Sequence, residues 1–521
     1  METLRSYVDG GWHAADGGWT TLVDPSTERE IARASSAGVD FGRVLDHARR
    51  RGAPALAELG FAGRAGLLKE MSRVLREARD ELLELSRIST GTTRPHGAFD
   101  VDGASGTLAW YAGFGRRLGD GNVLVEGDGI QLARTEGFWG QHVLVPRQGV
   151  AVAINAFNFP AWGFAEKAAC ALLAGVPMVV KPATATAWVA ARAIERIVEA
   201  GVLPEGALQL VVGSTGDLLD RLGPQDLLAF TGSADTARTL RSRDNLLAAC
   251  TRINVEADSL NAAVLAPGAG EAATELFYKD VIREITQKTG QKCTAVRRIL
   301  VPAGQLDEVQ ERLSAMLAEV VTGDPADEAT TMGPLATAAQ LEDTERAVAE
   351  LAEDARIVHG TGRRVDGHGA PAGKGWYFAP TLLRADDARA AGAVHQREAF
   401  APVATLLPYV GSPADAGEIV ALAGGTLVTS VYTDDEEWTR GFLAAAGPTT
   451  GRLYVGSESS AGDAPGSGIA MPQTLHGGPG RAGGGEELGG MVGVSFYMQR
   501  VALQGSREMV GRAVGTTSAA G

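Results

Sequence analysis

The chain has little cysteine, three residues in 521. That scarcity excludes a disulfide framework and suits a reducing compartment. It has no apolar run approaching the roughly 20 residues of a membrane span, so no membrane partner is expected. It has no excess of positive charge. The formal net charge is −15, which argues against nucleic acid or an anionic membrane surface as a partner. The opening residues, Met1-Glu2-Thr3-Leu4-Arg5-Ser6, lack a signal-peptide pattern, and the expected location is cytoplasmic. Internal repeats are not evident. What is there, 45% hydrophobic and 21% charged residues, is the composition of a soluble globular protein with room for two or three domains.

One of the three cysteines is set apart by its surroundings. Cys170 lies in the apolar run Ala168-Ala169-Cys170-Ala171-Leu172-Leu173, the usual setting of a buried structural thiol. Cys293 instead closes Gln287-Lys288-Thr289-Gly290-Gln291-Lys292-Cys293. A thiol in such a polar, glycine-containing turn can be reached by a substrate and can ionise. A lone cysteine is more often structural than reactive, and what changes the reading is the company it keeps.

Periodicity predicts a strand pair near Ser6–Gly11 and Trp19–Val23. It then predicts one long amphipathic helix from Phe61 to Ser89, with Leu67, Leu68, Met71, Val74 and Leu75 at helical spacing. From about residue 150 short apolar runs alternate with helical stretches. Gly149–Ile154, Pro177–Lys181, Leu208–Val212 and Leu227–Phe230 read as strands; Trp162–Leu173 and Ala187–Ala200 read as helices. That alternation predicts a parallel sheet covered on both faces. Asn158, Lys181, Gly213 and Ser233 all follow strand ends, so they should gather along the edge where such sheets bind ligands. A second α/β stretch runs from about 258 to 480, with a helix Tyr278–Lys288 leading to Cys293 and a strand Arg298–Pro302. The glycine-rich segment 458–490, which contains His476-Gly477-Gly478-Pro479-Gly480-Arg481, is either a flexible loop or a wall over an active site. Asn122–Val145 reads as a hairpin and Val492–Met498 as a late strand. Such arms either add to a partner's sheet or fold back on their own domain.

Six motifs then occur in order: Ala156-Phe157-Asn158-Phe159-Pro160, Lys181-Pro182-Ala183, Phe230-Thr231-Gly232-Ser233, Glu256, Gly290-Gln291-Lys292-Cys293 and Glu398-Ala399-Phe400-Ala401-Pro402. In order and approximate spacing the chain resembles the aldehyde dehydrogenase superfamily over essentially its whole length. Ile154–Pro160, Glu256-Ala257-Asp258-Ser259-Leu260-Asn261 and His476–Gly490 are similar to the branch acting on CoA-linked semialdehydes. That branch includes the 3,4-dehydroadipyl-CoA semialdehyde dehydrogenase and the dehydrogenase domain of the bifunctional ring-opening enzyme of phenylacetate degradation.

The resemblance implies an α/β fold: a Rossmann-type cofactor domain at 1–121 and 148–257, an α/β catalytic domain at 258–487, and a β oligomerisation arm at 122–147 and 488–505. A tail occupies 506–521. It implies an NAD(P)-dependent dehydrogenase, a small-molecule aldehyde that is CoA-linked or simple, a homo-oligomer of at least two copies, and no metal. The fused hydratase of the phenylacetate enzyme has no counterpart before Gly521, so ring hydrolysis is not expected.

The chemistry can be argued beside the resemblance. An aldehyde gives up hydride readily only from a tetrahedral alkoxide, and a thiolate makes that adduct; Cys293 is the expected nucleophile. The oxyanion needs fixed donors, for which the Asn158 side-chain amide and the Cys293 backbone N–H are placed. The resulting thioester must meet water, and Glu256 is the expected general base. Ile253 and Val255 precede it, and an apolar setting would raise its pKa. Retaining this carboxylate favours a free acid over transfer to coenzyme A. Lys181 can meet a ribose hydroxyl or phosphate. Family members that prefer NAD commonly carry Glu three positions later, where this chain has Thr184, and Lys181–Thr186 contains no acid. A carboxylate there would repel a 2′-phosphate, so NADP is favoured over NAD. Ser233 can present backbone N–H groups to the pyrophosphate, and Gly213 allows close approach. The resemblance adds Ile154, Asn155, Ala156, Phe157, Ala183, Gly216, Thr231 and Gly232 to the cofactor-facing set, with Glu398 and Phe400 at the nicotinamide ribose and ring. Two departures stand out. Asp258-Ser259 replaces a pair of glycines without touching the expected chemistry, and Ala401 follows Phe400 in place of Gly. A CoA-acylating enzyme and a non-catalytic binding protein on this scaffold remain the other readings.

Overall fold

The computed structural model describes residues 1–515; the end of the expected tail, 516–521, lies outside the described residues. Among the described residues no helix is long and apolar enough to cross a membrane.

The first seven-stranded sheet runs in the order Arg252–Glu256, Leu227–Thr231, Ala151–Ile154, Met178–Lys181, Leu208–Leu210, Ser6–Val8, Gly11–His13. The first five strands are parallel to one another, and the N-terminal pair closes one edge antiparallel. Their two-residue period divides the side chains between two cores. Ala151, Ala153, Met178, Val180, Leu208 and Leu210 face one, with the helices Trp162–Ala174 and Ala187–Glu199. Val152, Val179, Val211, Leu228 and Phe230 face the other, with Phe41, Val44 and Leu240. Burying each larger side chain on both faces contributes about 1.5–3 kcal/mol, which is why these strands read as continuous apolar runs. The register pairs Ile154 with Lys181, Phe230 with Ile154, and Thr231 with Glu256. Their carboxyl ends therefore meet at one edge, as expected.

A second seven-stranded sheet has the order Arg356–His359, Thr381–Arg384, Val403–Tyr409, Arg298–Pro302, Ala262–Leu265, Thr426–Tyr432, Thr450–Gly456. It is parallel except for its first edge strand. Leu124–Gln131, Trp139–Pro146 and Met498–Gly505 form a separate antiparallel sheet. In it the hairpin is joined by the chain's own late strand.

Three expectations are corrected. The helix expected from Phe61 to Ser89 is two helices, Gly60–Glu77 and Arg79–Thr90, broken at Ala78 (φ −84°, ψ 3°). The first lies along Arg94–Arg116, and both touch Ala187–Glu199. Ser6–Val8 pairs with Gly11–His13, not with the strand Thr20–Val23, which joins Glu30–Ala34 in another sheet. Val492–Met498 is not a strand: Met491–Phe496 is a helix, and the strand starts at Met498. Gly493 packs so tightly on the helix Trp162–Ala174 that a Cβ there would meet Cys170 Sγ at 2.8 Å, and this packing overrides the β-like composition.

Candidate active site

Cys293 sits at the end of a strained loop. After the helix Glu271–Thr286, Lys288 and Thr289 adopt φ of 54° and 57°, and Gly290 follows at 64°. Two consecutive non-glycine residues in the left-handed region cost energy and persist only when their surroundings hold them. Those surroundings are specific. Thr289 Oγ1 donates to Gly333 O at 3.0 Å, and Lys292 Nζ donates to Glu284 at 2.6 Å and Gln287 at 2.8 Å. Asn261 Nδ2 donates to Cys293 O at 2.7 Å and Ala295 O at 2.9 Å. Arg297 donates to Lys292 O and Ala401 O. Gly290 is required outright, because a Cβ would meet Ala401 O at 2.3 Å.

The partly buried thiol opens on a pocket lined by Ala156, Asn158, Trp162, Glu166, Glu256 and His476 among others. Asn158 Nδ2 donates to Gln291 O at 3.0 Å, and an amide keeps a second N–H for a ligand. The Cys293 N–H has no acceptor among the described residues. Glu256 ends its strand with its side chain 2% exposed. The glycine-rich segment is a wall, not a free loop. Ala257 N donates to Ala482 O and Gly485 N to Val255 O, both at 3.0 Å. Gly483 (φ +108°) has no room for a side chain, since a Cβ would meet Val255 O at 2.3 Å.

That wall delivers His476. Its Nε2 is 3.2 Å from Glu256 Oε2 and 3.8 Å from Cys293 Sγ. Burial opposes a charge on this imidazole, but Glu256 outweighs it and raises its pKa. Burial alone would also raise Glu256; the charge and hydrogen bond of His476, with Lys167 behind, hold it well below the usual carboxylate range instead. The apolar run before Glu256 therefore misleads, because its side chain faces cations. Burial, then the Glu256 carboxylate, push the Cys293 thiol up, so the polar turn does not by itself make a thiolate.

Behind Glu256 lies a buried chain of charge. Lys167 Nζ contacts Glu166 at 2.9 Å and Glu487 at 3.2 Å, and Asn254 Nδ2 reaches Glu487 at 3.2 Å. Burial pushes Glu166 up to about 7. It works against the charge on Lys167, yet the surrounding carboxylates keep that ammonium above its ordinary value.

Residues expected to face the cofactor collect along the strand-end edge. Ile154 and Lys181 end adjacent strands; Ala183 leads into the turn Thr184–Thr186; Thr231 ends the neighbouring strand. Thr184 Oγ1 donates to Gly213 O at 3.2 Å, joining the two loops, and Gly216 N donates to Ser214 Oγ at 3.2 Å. The carbonyl of Phe157 accepts from Thr186 Oγ1, and its ring meets Phe400 edge-on at 5.8 Å. Gly232 N donates to Glu256 O at 3.1 Å. Glu398 is pushed up to about 7 by burial, against Arg297 at 3.3 Å. Several polar groups here lack partners among the described residues. The buried Asn155 amide and Thr231 Oγ1 have none, and burial lowers Lys181. Orphaned donors and acceptors of this kind fit a polar dinucleotide. One expectation needs correction. Ser233 caps the helix Ala234–Arg241 through Thr236 N, but the Ala234 N–H is taken by Asp258 Oδ1 at 2.9 Å. Asp258 thus does touch the cofactor edge, and it occupies part of the helix terminus assigned to the pyrophosphate.

Sequence reasoning missed His476, Glu166, Lys167, Glu487 and Asn261. Glu166-Lys167 interrupting an apolar helix was a signal. His476 heads the glycine-rich motif, and its approach to Cys293 depends on how the wall folds.

A model of the aldehyde dehydrogenase family matches residues 12–502. The chain is 43% identical over 481 residues to the 3,4-dehydroadipyl-CoA semialdehyde dehydrogenase of Aromatoleum evansii, covering 91% of this chain and 93% of that one. It is 27% identical over 431 residues to the NADP(+) succinate-semialdehyde dehydrogenase of Escherichia coli (strain K12), covering 81% and 83%. Among solved structures, a lactaldehyde dehydrogenase superimposes with a TM-score of 0.83 at 26% identity, over 96% of this chain and 99% of that one.

Proposed function

The chain belongs to the aldehyde dehydrogenase family, and from that premise we propose that it oxidises a CoA-linked semialdehyde to the carboxylic acid with NADP. The observation that carries this reading is the convergence of Cys293, Asn158 and Glu256 on one pocket.

Asn155, Lys181, Thr184, Gly213, Thr231, Ser233, Glu398 and Phe400 would hold the dinucleotide, whose nicotinamide supplies a hydride acceptor when bound. The chain's own residues do the rest. Cys293 Sγ attacks the carbonyl carbon. The Asn158 Nδ2–H and the Cys293 N–H hold the oxyanion. Once the carbon has been oxidised, the acyl group is a thioester on Sγ. Glu256, through Oε1, which lacks a partner among the described residues, takes a proton from the attacking water and the acid departs.

Three features support the finer reading. A wider cleft, lined by Gly103, Gly106, Trp110, Met471 and Pro472, shares Phe99, Trp162 and Ala470 with the catalytic pocket. A long substituent such as a CoA thioester can lie along it, remote from the reacting carbonyl. The 43% identical relative is named for a CoA-linked semialdehyde. The acid-free segment Lys181–Thr186 favours a 2′-phosphate. The arm sheet has two open edges with Val125, Ile130 and Val501 exposed, which supports a homo-oligomer.

The test compares a dehydroadipyl-CoA-type semialdehyde with a simple aldehyde, each with NADP and NAD, and identifies the product by mass. The highest kcat/KM is expected for the CoA-linked substrate with NADP, and the product is the free acid. Equal turnover of the simple aldehyde would remove the CoA-linked substrate, and a thioester product would replace hydrolysis by acylation.

A further inference from the structure

We propose that His476 is a third catalytic residue, the resident cation that lets the Cys293 proton pass to Glu256 and then hydrogen-bonds the thiolate. The inference rests on Cys293 and Glu256 being nucleophile and base.

The geometry is a single donor shared between two acceptors. Both short distances run to the same ring nitrogen: 3.2 Å from Nε2 to Glu256 Oε2 and 3.8 Å from Nε2 to Cys293 Sγ. The thiol sulfur, a Glu256 carboxylate oxygen and a His476 ring nitrogen all lie within 4.8 Å of one another. His476 is 4% exposed and Glu256 2%, so water screens these charges little. The groups facing the imidazole are Glu256 from its strand, Cys293 from the strained loop, Glu166 from the helix Trp162–Ala174, and Arg452 from the strand Thr450–Gly456. Lys167 stands behind Glu256. Glu256 and Glu166 favour a charged imidazole there; Arg452 opposes it.

The step conserves charge within the trio. At rest it holds a thiol, a carboxylate and an imidazolium. The S–H bond breaks, an O–H bond forms on Glu256, and the electron pair stays on sulfur. The result is a thiolate, a neutral acid and the same imidazolium, whose Nε2–H turns from Oε2 to Sγ. Without the imidazolium the same transfer would leave a bare thiolate in a buried pocket. With it, the thiolate gains a charge-assisted donor. The thiol that burial and Glu256 keep protonated is thus ionised by the same carboxylate, and the imidazole beside them makes the exchange affordable. After attack the Glu256 proton goes to solvent, and the carboxylate is free for the water step.

Because both states of the trio carry the same protons, the thiolate fraction does not depend on pH while His476 stays charged. Alkylation of Cys293 by iodoacetamide, followed by peptide mass to separate it from the exposed Cys250, should show a plateau across neutral pH. His476→Gln should lower that plateau by about 10- to 1000-fold, the effect of one to three pKa units from a lost charge partner, and the rate should then climb with hydroxide. In His476→Ala, added imidazole should restore part of it. Dinucleotide binding measured by fluorescence shows whether each variant is folded. An unchanged plateau in folded His476→Gln overturns the proposal. So does a wild-type rate that rises tenfold per pH unit through neutrality, a readout that needs no variant. Since alkylation uses neither aldehyde nor cofactor, the proposal can fail while the assigned reaction stands. Conversely, Cys293→Ala with turnover intact would overturn the reaction itself.

Discussion

Around Cys293 several buried ionisable groups come with partners: Glu256 with His476, Lys167 with Glu166 and Glu487, Lys292 with Glu284, and Arg297 with Glu398; Lys288, whose ammonium lies over the Phe159 ring, is an exception. A few residues away, along the edge made by Ile154, Lys181 and Thr231, polar groups stand without partners among the described residues: the Asn155 amide and Thr231 Oγ1. The two regions share a sheet, since Thr231 and Glu256 are paired neighbours. On the proposed reading, the difference separates groups whose ionisation the protein sets from groups whose hydrogen bonds a ligand would complete. Disturbing the first should change rate and leave the neighbouring charges exposed to the cost of burial. Disturbing the second should change affinity.

The largest effect separates the two regions most cleanly. Cys293→Ala should reduce turnover by about 10⁴-fold or more, because nothing else at the cavity can form the adduct. Dinucleotide affinity, read by fluorescence titration, should stay within about threefold of wild type, a change of under 1 kcal/mol. A large loss of cofactor binding in this variant would mean that the two regions are not independent.

Glu256→Gln should lower steady-state turnover by about 10²–10⁴-fold, the range of a positioned base. The variant loses both roles of Glu256, acceptor of the Cys293 proton and base for thioester hydrolysis. Rapid mixing should show a slowed burst of reduced cofactor, with the acyl-enzyme visible by intact mass. A burst at the wild-type rate would confine Glu256 to hydrolysis and remove it as the acceptor of the Cys293 proton. Asn158→Ala should cost about 10²–10³-fold in kcat, as for the loss of one oxyanion donor. It also removes the bond to Gln291 O, so Asn158→Asp is a useful companion. That variant keeps the size but places negative charge beside the oxyanion, and it should be slower still.

How much of this was legible in the residues follows the same divide. The parallel sheet and its edge were readable because both faces of Ala151–Ile154 and Leu227–Thr231 are buried, and that burial writes continuous apolar runs. Motif order and what thioester chemistry needs singled out Cys293, Glu256 and Asn158, and the structure brings all three to one pocket. The ionisation of Glu256 was not. Ile253 and Val255 point to an apolar setting, whereas the pKa depends on His476, 220 positions later, and on Lys167 from another helix. The helix Met491–Phe496 was misread for a related reason: its packing against Cys170 is a tertiary fact that period and composition do not carry. Local pattern reports what a segment buries, and it is silent on which distant charge arrives beside it.

The smallest effect tests the edge. Thr184 stands on the turn after Lys181, with its hydroxyl on Gly213 O at 3.2 Å. Thr184→Glu places a carboxylate where a 2′-phosphate is expected and removes that tie between two loops. Repulsion at a partly exposed position is worth about 1.4–2.8 kcal/mol, so NADP should bind roughly 10- to 100-fold more weakly. NAD, whose ribose offers hydroxyls to the new carboxylate, should lose little or gain. The ratio of the two affinities is the informative quantity, because loss of the Gly213 bond weakens both alike and cancels in it. If the ratio stays where it was, the 2′-phosphate lies elsewhere, and Lys181 rather than Thr184 becomes the residue to vary. A shift in the ratio with kcat unchanged would show the edge acting on affinity alone, the behaviour that distinguishes it from the charged trio at Cys293.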